Sequence, residues 1–391
     1  MDVNFRPSRR PLIFLLLLVA LFTAACGAQT GGLNWPGLSA DSDTLYFANG
    51  SELIALDAGN QQIKWRLAAA SSTASLLAAP EVTDNRIYIG DYGLSQGLFS
   101  PGVKSSIFSI DKSVSGELVV GDSNIIQNEN VGSDRIVATP LRADDKLFVG
   151  TANNYLLALD SETLSIIWGD DEPKFDHSIW GQPAYADGTV VATSLDKTVR
   201  AFDSDSGSEL WSNELTGAIA ASPLIVDGLV VVASFDSTVH AFDLQSGTER
   251  WTVEAANWIW NAPVVNGDSL FFGDTDGVVY AVDIAKGSIV WESQQDGIVQ
   301  APLATDGDQL IVPLVIGVST DEQTGKLVSL STSDGSLQWQ QDMVLPTFAQ
   351  PAIVQDSIVV ILTDISTQQS SSSLQAFNLA SGAKGWSWSQ E

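Results

Sequence analysis

The stretch Ala201-Phe-Asp-Ser-Asp-Ser-Gly-Ser-Glu-Leu-Trp211 returns as Ala241-Phe-Asp-Leu-Gln-Ser-Gly-Thr-Glu-Arg-Trp251 and again as Ala281-Val-Asp-Ile-Ala-Lys-Gly-Ser-Ile-Val-Trp291. The shared pattern is A-x-D-x-x-x-G-x-x-x-W, and its tryptophans stand 40 residues apart. Self-similarity at a fixed period of this length marks a repeat architecture. Weaker copies end at Trp65, Trp168, Trp339 and Trp386, with Gln61 and Leu164 replacing the glycine in two of them. A further copy begins at Ser109-Ile-Asp111, keeps Gly116 one position late, and has no tryptophan near Val120. Prolines 36, 80, 140, 183, 223, 263, 302 and 351 each precede a short apolar run and a polar turn such as Asp227-Gly228. Two independent markers thus give eight units of about 45 residues, the size of a propeller blade.

One unit reads as four strands. Pro223–Val226 leads into the Asp227-Gly228 turn, Leu229–Ser234 is rich in β-branched residues, Thr238–Asp243 alternates apolar and polar, and Glu249–Val253 closes the sheet. Helical periodicity is absent. The expected fold is all-β, an eight-bladed β-propeller of four-stranded antiparallel blades. The repeated residues (Asp203, Gly207, Trp211; Asp243, Gly247, Trp251; Asp283, Gly287, Trp291) have a mechanical reading. The carboxylate can accept turn amides, glycine tolerates positive φ, and the indole can fill the wedge between neighbouring blades.

The eleven-residue motif resembles the tryptophan-docking motif of PQQ-type propellers. One branch of that superfamily, the quinoprotein dehydrogenases, binds pyrroloquinoline quinone and calcium on the propeller axis. The other is the BamB-type lipoprotein, a non-catalytic subunit of outer-membrane β-barrel assembly. The first branch usually carries a vicinal cysteine pair, and this chain has 1 cysteine. Chain length and motif content therefore look like the second branch, which implies a scaffold without cofactor and with envelope proteins as partners. A quinoprotein-like enzyme or sensor and a polysaccharide-binding propeller are the alternatives.

Residues 1–25 read as a signal peptide. Arg6, Arg9 and Arg10 precede an apolar run from Leu12 to Phe22, too short to span a bilayer stably. The following Thr23-Ala24-Ala25-Cys26 resembles a bacterial lipobox, which implies lipidation of Cys26; residues 26–33 then form a tether and 34–391 the propeller. The expected location is extracytoplasmic and membrane-anchored, at the periplasmic face of an outer membrane in a diderm host and otherwise at the outer face of the cytoplasmic membrane. With 47 acidic against 18 basic residues the formal charge is −29, and such a surface repels phosphate backbones, so nucleic acid is not a partner. The expected assembly is a monomeric propeller.

In an up-and-down blade, the blade connectors and the hairpins between second and third strands share one face. Insertions at Asp91–Ser105, Gly317–Gly325 and Ser366–Ser373, and the connector Gly169–Ser178, fall there, as binding-face decorations of repeat proteins do. Three residues before the repeat proline stand Trp180, Trp260 and Phe348, with Trp258 on the same side; other units have Leu77, Val137, Ala220 and Val299 at that place. These aromatics are candidates for a channel mouth that accepts a partner loop, the alternative being inner-blade packing. Gly93-Leu94-Ser95-Gln96-Gly97 fits a G-x-S-x-G pattern but has no following helix. His177 lies in an acidic loop, His240 reads as a variable surface position, and Asp274-Thr275-Asp276-Gly277 offers only half a calcium loop. No catalytic residue and no metal are assigned.

Overall fold

Apolar runs of five or six residues, closed by Asp/Gly turns, are too short for stable helices and suit strands buried on both faces. The computed structural model describes residues 37–68, 76, 78–95, 103–129, 131, 135–168, 173–317, 323–364 and 373–390. Among these there is no helix. The signal, Cys26 and tether lie outside the described residues. Blade 5 is typical: Leu224–Val226, Leu229–Ala233, Thr238–Asp243 and Glu249–Glu254 pair antiparallel in chain order. Blades 4 (Ala184–Glu214), 6 (Val264–Gln294), 7 (Ala304–Met343) and 8 (Ala352–Ser389) repeat that order. The protein is an eight-bladed propeller.

The core lies between blades as much as within them. Val239 and Ala241 of blade 5 pack with Leu270 and Phe272 of blade 6 in one buried cluster. The ring closes the same way: Leu45, Phe47 and Ile54 of blade 1 share a cluster with Val359, Ile361 and Leu374 of blade 8. Phe47 meets Trp388 edge-on at 5.2 Å, and Gln390 donates to Glu52 at 3.1 Å. Among the described residues, blade 1 is built from Leu38–Ala68 with Gly116–Leu118 on its outer edge and blade 8 from Ala352–Ser389, and neither sheet takes a strand from the other. Closure rests on apolar packing rather than on strand exchange.

The repeated tryptophan docks on the next blade. Trp211 donates its indole N–H to the Leu244 carbonyl at 2.8 Å, Trp251 to Ile284 at 2.9 Å and Trp291 to Thr332 at 3.0 Å. Each ring lies under a glycine of that neighbour. A Cβ on Gly247 would stand 2.7 Å from Trp211, and one on Gly287 2.4 Å from Trp251. Gly207, Gly247 and Gly287 also hold φ of 71°, 67° and 63°. Each outer strand bulges just before its tryptophan, as between Ala201 and Phe202 opposite it. The bulge turns Leu210 and Val290 outward and twists the exposed sheet edge.

The turn aspartates hold their loops as carboxylates. Asp203 and Asp243 accept the Ser206 and Ser246 amides at 2.8 and 2.9 Å. Hydrogen bonding by Ser206, Arg250 and Lys286, respectively, holds the pKa of Asp203, Asp243 and Asp283 below the usual 3.8. For Asp243, Arg250 at 2.7 Å and Ser246 bring the value to about 2. A folded value below the unfolded one gives stability that is complete above the unfolded value and lost as pH falls through the folded one. Asp243→Ala is therefore expected to lower the melting temperature at pH 7, with the gap to the unmodified protein closing between about pH 4 and pH 2. A gap that persists below that window would show that the carboxylate charge is not the source.

Blades 2 and 3 depart from the pattern. Gly116–Leu118, expected to lead to the fourth strand of its own unit, instead pairs in parallel with Trp65–Leu67 on the outer edge of blade 1. The fourth strand of blade 2 is Ile125–Asn128, so the missing tryptophan is not near Val120. Ile126, opposite Ser109, takes the place that Trp211 holds opposite Ala201. Asn128 donates to the Leu164 carbonyl at 2.7 Å, as Asn213 does to Gly247 at 2.8 Å. In blade 3 the fourth strand is reduced to a bridge between Leu159 and Ile166. Leu164 keeps a φ of 58° and Gln61 one of 59°, the left-handed turn conformation of the glycines they replace.

Candidate functional site

The connectors and the hairpins between second and third strands meet at one end of the propeller through repeated backbone bonds. Hairpin amides of Ala152, Leu195, Phe235 and Thr275 donate to the connector carbonyls of Arg135, Ser178, Ala218 and Trp258 at 2.9–3.1 Å. In return the connector amides of Ile136, Ile179, Ile219 and Val299 donate to hairpin carbonyls at 3.1–3.3 Å. The side chains of this second row, and that of the equivalent Ile259, are buried, whereas the residues that follow them, Val137, Trp180, Ala220, Trp260 and Gln300, are not fully buried. Proline counting thus misplaces one position. Val299 belongs to the buried row and Gln300 stands beside Trp260, because Pro302 comes one residue early in its unit.

Trp180, Trp258, Trp260 and Phe348 are all half-buried. Two of them are brought together. Phe235, at the tip of the blade 5 hairpin, stacks on Trp258 with centroids 5.8 Å apart and meets Trp260 at 4.6 Å with the rings tilted by 45°. The sequence reading missed Phe235; its signal was an aromatic where neighbouring hairpin tips carry Leu195 and Thr275. A related pair lies at blades 2 and 3, where Arg135 sits over the Tyr92 ring at 4.6 Å and donates to its hydroxyl at 3.1 Å.

Of the decorations, the described residues 91–95, 103–105, 173–178 and 323–325 lie on this end, and 96–102, 169–172, 318–322 and 365–372 lie outside the described residues. In blade 7 the insertion lengthens a hairpin, Gln309–Ile316 against Thr324–Ser331, and Ile298 of the connector pairs with Val315. In blade 2, Leu94–Ser95 pairs with Val103–Lys104 as a small ribbon, so the G-x-S-x-G stretch sits on a ribbon rather than a strand-to-helix elbow. Gln96 and Gly97 lie outside the described residues.

The remaining candidates belong to the frame. Asp274 is fully buried; it accepts the Asp276 and Val278 amides at 3.0 and 2.9 Å and the Tyr280 hydroxyl at 3.0 Å. Burial pushes the Tyr280 hydroxyl up. His240 is not the open surface position its variability suggests: its side chain is 13% exposed, between Glu249 at 2.9 Å and Asp236 at 3.5 Å. His177 is exposed on the connector. Among the described residues no group of three His, Cys, Asp or Glu side chains is arranged to hold a metal. At the axis, Glu81 is raised by burial and bonded to Gln182 at 3.0 Å. The eight inner strands contain one Lys or Arg, the exposed Arg142. That lining does not fit the three carboxyl groups of pyrroloquinoline quinone. On the opposite end an open cleft of about 600 Å³ holds Arg250 and Lys286, each paired with an aspartate of its own turn.

Docked tryptophans, glycine-capped turns and one decorated end define an eight-bladed propeller of the PQQ-like repeat class. The chain belongs to the family described as outer membrane protein assembly factor BamB, whose model matches residues 166–294 and, overlapping, 195–391. Among solved structures it resembles BamB from Moraxella catarrhalis, at 22% identity over 72% of this chain and 81% of that one, with a TM-score of 0.55. It also resembles the computationally designed Ika8 protein, at 15% identity over 88% and 96% of the two chains, with a TM-score of 0.68. No curated protein matches.

Proposed function

We propose that this protein is a non-enzymatic, membrane-anchored scaffold of the cell envelope that engages its partner through the decorated end. The observation that carries the reading is the half-exposed aromatic group Phe235, Trp258 and Trp260 on that end. Large rigid rings concentrate binding energy at interfaces because they bury much area with few rotors. Membership of the BamB family supports an envelope partner, a β-barrel assembly component where the host has an outer membrane. The lipobox-like Thr23–Cys26 supplies the anchor: acyl chains on Cys26, at about 0.8 kcal/mol per buried CH₂, hold the disc beside its client.

Affinity purification from detergent-solubilised envelope is the test. The native chain is expected to recover a defined partner, and Trp258→Ala with Trp260→Ala to reduce that recovery at least tenfold without moving the melting temperature by more than a few degrees. In the same extracts Cys26→Ser is expected to leave the membrane fraction. Unchanged recovery by the folded double variant would remove the rim from the function.

A further inference from the structure

We infer that the blade 5–6 rim recognises an extended protein segment bearing arginine or lysine, with a cationic side chain laid against the Trp258 indole. This rests on the scaffold reading and gives the partner's chemistry. Phe235 backs both indoles and fixes their planes, leaving part of each ring exposed. The connector and hairpin segments 216–220, 234–237, 255–262, 274–277 and 295–301 are tied to one another at this rim by backbone hydrogen bonds. These contain Asp236, Asp274, Asp276 and Asp296 and neither Lys nor Arg. Asp274 is consumed by its hairpin, and Asp236 is held by Thr216 and Thr238 beside His240, so Asp276 and Asp296 are the carboxylates that set a negative field beside the aromatic face. Such a face attracts a cation through the ring quadrupole.

The chain itself displays the geometry. Backbone bonding makes Arg135 the counterpart of Trp258, and Tyr92 the counterpart of Phe235. At blades 2 and 3 an arginine from the connector covers the hairpin aromatic at 4.6 Å. At blades 5 and 6 the connector residue is itself aromatic, so that pair sets two rings together and contains no guanidinium of its own. The site is thereby complementary to a basic segment and repels an acidic one.

Fluorescence anisotropy on the full-length protein in detergent tests this with labelled nonapeptides in which arginine, lysine, glutamine or glutamate alternates with serine. The arginine and lysine peptides are expected to bind about tenfold tighter than the glutamine peptide, with no binding of the glutamate peptide. Trp258→Ala should weaken the arginine peptide about tenfold and Trp258→Phe about threefold or less, while Asp276→Asn weakens it severalfold. Equal binding by native protein and Trp258→Ala, with matched melting curves, would reduce the effect to the net charge and overturn the inference. Equal binding of the glutamine peptide, or tighter binding of chitohexaose, would overturn it too. If these peptides fail while partner recovery still needs Trp258 and Trp260, only the basic-segment inference falls. If Trp258-dependent peptide binding survives but partner recovery does not need the pair, the scaffold role of the rim falls instead.

Discussion

Trp211→Ala is expected to destabilise the ring by about 3–5 kcal/mol, because it empties the wedge between blades 4 and 5. It also leaves the Leu244 carbonyl without its 2.8 Å donor. Gly247→Ala is expected to be costly for two separable reasons. A φ of 67° costs an L-residue about 1–2 kcal/mol. The added methyl would also stand 2.7 Å from the indole, an overpacking term of about 1–3 kcal/mol. Only the second term needs Trp211. Denaturant unfolding of the two single variants and the double is therefore expected to give a double variant less destabilised than the sum, by about 1–3 kcal/mol. Strict additivity would mean that indole and glycine do not act as one joint.

The second large effect lies where the joint is rewritten. Leu164 is fully buried and shares a cluster with Ile126, which sits where a tryptophan would dock. The lost indole in blade 2 and the side chain gained at the glycine position of blade 3 compensate in volume. Leu164→Gly is expected to open a cavity and cost the 2–5 kcal/mol or so of a leucine truncation, less the about 1–2 kcal/mol that glycine recovers at a φ of 58°. Ile126→Trp alone should overpack the same space. The pair Ile126→Trp with Leu164→Gly rebuilds the ordinary joint and is expected to recover at least about 1 kcal/mol of the summed loss, measured by thermal and denaturant unfolding. No recovery would mean that the blade 2–3 interface is held by other contacts.

These two interfaces show what one dimension can carry. The eleven-residue motif was legible wherever Asp, Gly and Trp all survive, because each side chain answers a local need: an amide acceptor, a left-handed residue, a filler of fixed volume. It failed at blade 2, where Gly116 looked like the turn glycine. The chain there crosses to pair with Trp65–Leu67 and returns only at Ile125, and nothing local to residues 112–124 announces a partner 50 residues earlier. The rim was half legible. Trp258 and Trp260 stand out by type and place, but Phe235 joins them only because blade 5 folds its hairpin beside the next connector. His240 misled for the same reason, since its carboxylate neighbours come from a hairpin tip and an adjacent strand.

The sequence by itself determined the number of blades, the strand order within a regular blade and the end that carries the decorations. Those follow from period, turn chemistry and apolar runs, all of which act over a few residues. Only the tertiary structure decided how the ring closes between Leu38–Ala68 and Ala352–Ser389, which strand caps blade 1, and which aromatic backs the two rim indoles. Each of those depends on burial between segments far apart in the chain, where the favourable term is area removed from water and no short stretch encodes its counterpart.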